Sequence, residues 1–278
     1  MGIFERILRF WIIRYILGPK SFSAILGFIS GRDVPKWLLR PFLRFYIWKY
    51  NINIDEFDVN IDTVASFKDF FIRKFKQGKR QFTGDFVSPA ESIVTDYGYI
   101  EDEKNLEVKG MVCKMNDFFY EASPYNFKSF AIFYLSPADY HRVHAPFDIT
   151  INKIVYIPGD LYSVKPKTVE KKDTLYCDNR RVVLYGDSKY GKVGIILVGA
   201  LIVGKIILNF GKRPKHKRYK VEEVNVKISK GEEIGRFELG STVILLMEDG
   251  YLVNMPVEKG KHILLGTDLS KAFENLSV

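Results

Sequence analysis

The run Gly235-Arg-Phe-Glu-Leu-Gly-Ser-Thr-Val-Ile-Leu-Leu-Met247 sets the reading of the rest of the chain. Val243 to Met247 are five consecutive apolar residues, closed by Glu248-Asp249-Gly250. A run this short, bounded by a turn signal, is a buried strand rather than a helix. Its entrance is unusual, because Gly240, Ser241 and Thr242 are small and would waste core volume. Glycine has no Cβ, so it takes backbone shapes closed to other residues and lets a group approach its carbonyl.

The Ser241 hydroxyl is then placed to attack the carbonyl just before it. Attack would turn the Gly240–Ser241 peptide bond into an ester. Elimination would cut the chain and leave a dehydroalanine, which hydrolyses to a pyruvoyl group. Such a group takes up an amine as a Schiff base and draws in the electrons of a carbanion. A plain Gly-Ser turn leading into an ordinary strand has the same letters and is the commoner meaning of a bare Gly-Ser-Thr. The remainder of the chain has to decide between them.

Outward from this strand, the chain from Asp85 onward is a series of short apolar runs broken by Gly, Pro, Asp and Asn. Examples are Phe86 to Val94, Ala131 to Leu135, Ile149 to Ile157, Val182 to Tyr185 and Val193 to Val203. This pattern is β-rich and predicts an α+β body dominated by antiparallel sheet. Val193 to Gly204 is too short to span a bilayer and fits a buried strand or strand pair with close glycine packing. Phe67 to Lys76 is a short aromatic helix candidate ending near Gly78. With 278 residues the chain can bury a large core in one or two domains. Cys113 and Cys177 have no metal or redox spacing and are expected to be reduced and structural, with a disulfide as the alternative.

Residues 1–64 differ from residues 65–278, which form the expected catalytic domain. In Met1 to Leu17, Phe4, Ile7, Leu8, Trp11, Ile12 and Tyr15 recur at helical spacing with Arg6, Arg9 and Arg14 between them. Pro35 to Tyr50 repeats the basic and aromatic theme. No uncharged run approaches the roughly 18 residues of a spanning helix. Glu5 and Arg14 interrupt any secretory signal, and Arg6 stands where a myristoylation signal needs Ser or Thr. Basic amphipathic helices with Trp11, Trp37 and Trp48 beside cations read as helices lying in a membrane interface. The bland alternative is a helical cap packed on the protein's own core. The net charge of +9 favours an anionic partner, a membrane surface above all. Lys212 to Lys220 is the densest basic run, either a solvated loop or a headgroup patch. Its one aromatic, Tyr219, makes no stacking platform for nucleic acid.

A second chemical stretch is Leu135-Ser-Pro-Ala-Asp-Tyr-His-Arg-Val-His-Ala-Pro146, which holds two of the four histidines. The flanking prolines exclude a continuous helix. His141 and His144 could ligate a metal, but no Cys or acidic cluster completes a site, so no metal is expected. They could be structural. Or they are acid/base groups, which suits a side chain that titrates near neutrality.

In motif order the chain resembles the pyruvoyl-dependent phosphatidylserine decarboxylases of the prokaryotic type. The matching pieces are Phe70-Phe-Ile-Arg73, Ser88-Pro-Ala90, Leu135 to His144, Pro158-Gly-Asp-Leu-Tyr-Ser-Val164, Val198-Gly-Ala200 and Leu239-Gly-Ser-Thr242. They span roughly residues 67 to 247. The resemblance implies a self-processing enzyme that decarboxylates phosphatidylserine to phosphatidylethanolamine through a Schiff base. Ser241 matches the pyruvoyl precursor, with the cut between Gly240 and Ser241. That cut would give a 240-residue β chain and leave 38 of the 278 residues as the α chain. His144 matches the base that activates Ser241, and His141 the histidine that assists decarboxylation. Where the family has an aspartate in Pro-Ala-Asp-Gly, this chain reads Pro89-Ala90-Glu91-Ser92, so the carboxylate of the relay is Glu91, with Asp96 and Asp139 as substitutes. Gln81 follows Arg80 where a proline is usual. The resemblance further implies a β/α heterodimer, able to pair into a homodimer, lying peripherally on the cytoplasmic face of the cell membrane. Two rivals are the same chemistry on a soluble amino acid, and an uncleaved membrane-binding relative that lost the relay aspartate.

Overall fold

Residues 35–100, 105–108, 111–114, 118–119, 123–164, 175–200, 205–211, 218–238 and 241–274 are described in the structure, a computed structural model. The expected helix in Met1 to Leu17, most of the basic run and Gly240 itself lie outside these residues.

Helix α1 (Lys36–Tyr50) opens the described chain and α2 (Phe67–Phe71) follows it. The strands are β1 (Ser92–Tyr99), β2 (Asn105–Val108), β3 (Met111–Lys114), β4 (Ser129–Leu135), β5 (Arg142–His144) and β6 (Ile149–Ile157). After a short helix α3 (Leu175–Asp178) come β7 (Arg181–Ser188), β8 (Gly191–Gly199), β9 (Ile206–Leu208), β10 (Lys220–Ile228), β11 (Glu233–Phe237), β12 (Ser241–Met247) and β13 (His262–Ile263). Helix α4 (Lys271–Glu274) is the last described element.

Eight strands form one sheet in the order β10-β6-β7-β8-β12-β4-β1-β13. Every pairing in it is antiparallel. A three-stranded sheet β5-β11-β9 continues from it, and β2 and β3 form a hairpin. The fold is therefore α+β and mainly antiparallel, as the short apolar runs predict.

Strand β12 lies inside the large sheet, and all seven of its residues are buried. Val243, Leu245 and Met247 enter one apolar cluster, while Ile244 and Leu246 enter another on the opposite face. Neighbouring β4 divides likewise, with Ala131, Phe133 and Leu135 on one side and Phe130, Ile132 and Tyr134 on the other. A strand covered on both faces has no polar alternation, which is why the sequence shows a continuous apolar run.

Helix α1 packs through Leu39, Leu43 and Tyr46, which sit in a third cluster with Phe57, Phe70 and Tyr140. Their spacing of four and three puts them on one helical face. The opposite face carries Trp37 and Trp48, 76% and 75% exposed, with Phe45 between them. Asn51 ends the helix in the left-handed region, at φ 49°. The helix expected over Phe67 to Lys76 is only one turn and a half, capped by the Ser66 hydroxyl, which accepts from the Asp69 N–H. Cys177 is disulfide-bonded, in contrast to the expectation of a reduced thiol. No helix among the described residues is long and apolar enough to cross a membrane.

Candidate active site

The two chemical stretches meet at a break shared by three chain passes. Strand β4 pairs with β12 from Ser129↔Met247 to Leu135↔Ser241. The same two passes pair again beyond the break, as β5 and β11, starting at Arg142↔Arg236. Between them lie Ser136 to His141 on one pass and Glu238 on the other. The Phe237 N–H donates to the His141 carbonyl at 2.9 Å and closes the far side. The third pass opens at the same level, with Gly199↔Ser241 on one side and Ile206↔Phe237 on the other. Ser241 is thus the first residue after the break on one pass, and His141 the last residue inside it on another.

At this break Ser241 Oγ and His141 Nε2 are buried with no hydrogen-bond partner among the described residues. A buried donor or acceptor left unmade costs about 1–3 kcal/mol. Orphaned polar atoms of this kind call for an explanation, and a place kept for chemistry rather than for packing is one. Among the described residues no cluster of three or more His, Cys, Asp or Glu could hold a metal ion.

The loop carrying His141 is held from several directions. The Asp139 carboxylate accepts from the Ser136 N–H at 2.7 Å, which closes the turn started by Pro137. From beneath, Arg73 Nη2 donates to the Ala138 carbonyl at 2.7 Å, and the Tyr46 hydroxyl of α1 donates to the Pro137 carbonyl at 2.5 Å. Arg73 is buried between Phe57 and Phe70 with no carboxylate ion pair among the described residues, and burial lowers its pKa to about 10. The His262 imidazole contacts Asp139 Oδ1 at 2.9 Å, and this carboxylate raises the pKa of His262.

Both motif histidines have their tautomer set by a backbone carbonyl. His141 Nδ1 lies 2.8 Å from the Asp139 carbonyl, and His144 Nδ1 lies 2.7 Å from that of Gly231. A carbonyl only accepts, so Nδ1 carries the proton and Nε2 keeps its lone pair. Nε2 of His144 meets the Tyr140 hydroxyl at 3.3 Å. Burial lowers the pKa of both rings, that of His141 to about 4. The Phe71 ring packs 4.1 Å from the His141 ring, and Phe82 stacks on His144 at 5.7 Å.

Glu91 reaches neither imidazole. Its carboxylate is gripped by Arg80 through Nε at 3.0 Å and through Nη2, and it accepts from the Tyr140 N–H at 3.4 Å. Burial raises its pKa, and Arg80 opposes that rise. Its route to His144 runs through Tyr140, whose N–H it holds and whose hydroxyl holds the ring. Of the substitutes, Asp96 pairs with Lys259 at 2.6 Å, and Asp139 binds the backbone and His262. Sequence reasoning missed Tyr140, His262 and the Gly231 carbonyl. Tyr140 adjoins His141 in the motif, so its position was in view. His262 stands alone in a polar segment, and a backbone carbonyl has no signature at all.

Comparison with known proteins gives the family. The family model for phosphatidylserine decarboxylase matches residues 67–271. A phosphatidylserine decarboxylase proenzyme of Francisella tularensis subsp. mediasiatica is 35% identical over 265 residues, covering 91% of this chain and 93% of the relative. The protein of that name from Francisella tularensis subsp. novicida is 36% identical, over 85% of this chain and 88% of the relative. That of Francisella philomiragia is 33% identical, over 94% and 97%. The chain belongs to the phosphatidylserine decarboxylase family and is a carboxy-lyase of that kind.

Proposed function

We propose that this protein cleaves itself between Gly240 and Ser241 and then decarboxylates phosphatidylserine to phosphatidylethanolamine at a pyruvoyl group made from Ser241. The observation that carries this reading is the pair of unpartnered buried atoms, Ser241 Oγ and His141 Nε2, at the break of the three strand passes. The family match supports the substrate.

In processing, Ser241 Oγ adds to the Gly240 carbonyl carbon while its proton passes to His144 Nε2. That nitrogen has a lone pair, and the Nδ1 proton is already committed to Gly231. Tyr140 must release Nε2 for this, so it is the movable neighbour. Glu91 acts as a positioning residue, fixing the Tyr140 backbone and the Arg80 guanidinium. A pyruvoyl group supplies an electrophilic carbonyl that holds the substrate amine and accepts the electron pair left by departing CO2. His141, neutral and with Nε2 open to the break, holds or moves a proton at the substrate. The apolar surroundings of Phe71 exclude water from that proton's path.

The outward stripe of α1 supports docking on the interface of an anionic membrane, peripherally and without a span. Trp37, Phe45 and Trp48 would enter the headgroup region, with Lys36, Arg44 and Lys49 beside them. The substrate would then be taken without leaving the lipid phase. The cleaved β and α chains together form the active unit.

The decisive experiment is the mass of the purified protein under denaturing conditions. Two chains divided at Gly240/Ser241, with a blocked start on the smaller, are expected. A single chain of 32.2 kDa in the wild type would refute the reading. Ser241→Ala should remain one chain.

A further inference from the structure

A buried carboxylate with two ammonium groups sits at the entrance to the cleavage segment. Glu238 directly follows β11, three residues before Ser241, and its side chain is only 5% exposed. Lys68 Nζ on α2 lies 2.9 Å from Glu238 Oε1. Lys205 Nζ, just before β9, lies 3.3 Å from Oε2. The Glu238 N–H also donates to the Lys205 carbonyl at 3.1 Å, so the two passes are tied at this level.

The cluster is unbalanced. Two cations face one anion, which leaves a net positive charge beside the break. The lysines are 29% and 28% exposed, whereas the glutamate is sealed beneath them. Each ammonium has three donors, and Glu238 is its sole acceptor among the described residues. Neutralising Glu238 needs only one of them. The cluster also belongs to the site by construction, since α2 offers Lys68 to Glu238 and Phe71 to His141. Three residues of extended chain reach at most about 11 Å, so Glu238 stays close to Ser241.

We infer that Lys68 and Lys205 are specificity residues that receive the phosphodiester of the substrate headgroup, with Glu238 holding the two ammoniums apart as a mount. This rests on the proposed reaction. The phosphodiester of a serine phospholipid lies a few bonds from the amine that must reach position 241. Lysine suits this task as a point charge on a flexible stem, able to bind phosphate oxygen while still touching the glutamate. The pair therefore acts in binding and not in the bond-breaking steps.

The test uses the full-length mature enzyme with dihexanoylphosphatidylserine below its micelle concentration, so that membrane docking plays no part. Lys68→Met and Lys205→Met should each raise KM roughly 10-fold, leaving kcat within about twofold and cleavage complete. Lys→Arg at each position should restore most of the loss. Calorimetric titration with dihexanoylphosphatidylethanolamine, which carries the phosphodiester and is not turned over, should weaken in parallel. Unchanged KM and unchanged product affinity in the cleaved double variant would overturn the inference. So would a folded double variant that stays uncut, because the pair would then serve the cleavage segment. If the double variant does not fold, the single variants decide by the same criteria. A wild type that remains one chain would refute the proposed reaction instead, and the calorimetric arm would still read phosphodiester binding by itself.

Discussion

The His141 imidazole, with its pKa lowered to about 4 by burial, is neutral at physiological pH. In the unfolded chain the same ring titrates near 6.5. Between these values the unfolded state binds more protons, so stability rises with pH across the window. The contribution is complete above about pH 6.5 and is lost as the pH falls toward 4. His144 is lowered in the same direction and adds to the slope, while Glu91, raised by burial, opposes it. His141→Asn should therefore flatten the fall of Tm between pH 6.5 and pH 4, measured by thermal unfolding at stepped pH. An unaltered slope would contradict the buried neutral ring.

The two histidines should also separate by function: His144→Ala remains uncut, whereas His141→Ala is cut but turns over poorly, as denaturing gels and a CO2-release assay would report. Equal cleavage defects would sink that division. Glu91→Gln removes one of the two carboxylates that hold the Arg80 guanidinium and leaves it to Glu56 alone, so the loss should stay below the full cost of breaking a buried ion pair. A lowered Tm with slowed cleavage is expected. Ser241, His141, His144 and Glu91 were all visible in the sequence as chemistry-bearing residues. What each one touches was not. A carboxylate expected to touch an imidazole instead holds the Tyr140 N–H and the Arg80 guanidinium.

At the scale of elements, α1 divides its labour between two opposite stripes. Leu39, Leu43 and Tyr46 face the body, so the exposed indoles can change without disturbing the core. Trp37→Ala with Trp48→Ala should weaken sedimentation with anionic vesicles severalfold while Tm stays within about 1 °C. Retained vesicle binding would remove the interfacial role of this face. Strand β12 is the contrary case. Ile244 is fully buried between β4 and β8, and Ile244→Ala should cost about 3 kcal/mol, read from denaturant unfolding. Both elements were legible for the same reason: a period of 3.6 or an unbroken apolar run survives in the sequence. Other boundaries were not. Phe86 to Val94 looked like a strand, yet the strand begins at Ser92, because Ser88 to Glu91 turn to bring the carboxylate under Tyr140. The break of three passes was invisible too, since it arises from pairing between segments about 40 to 120 residues apart.

For the whole molecule, the large sheet is closed around a segment that the proposed cut would set free at one end. Strand β12 pairs on both sides, and β13 holds the far edge against β1. The small chain would thus own an interior strand of the sheet. The two chains should elute as one particle under native conditions and part only in denaturant. Before the cut, unfolding and refolding concern one polymer and obey a unimolecular equilibrium. After it, the pieces can diffuse apart, and recovery depends on their concentration. Refolded at nanomolar concentration, mature enzyme should regain little structure, whereas Ser241→Ala should refold fully. Maturation at this position would therefore act as a ratchet: a protein that can be reassembled by itself becomes one whose lifetime is set by the first time it comes undone.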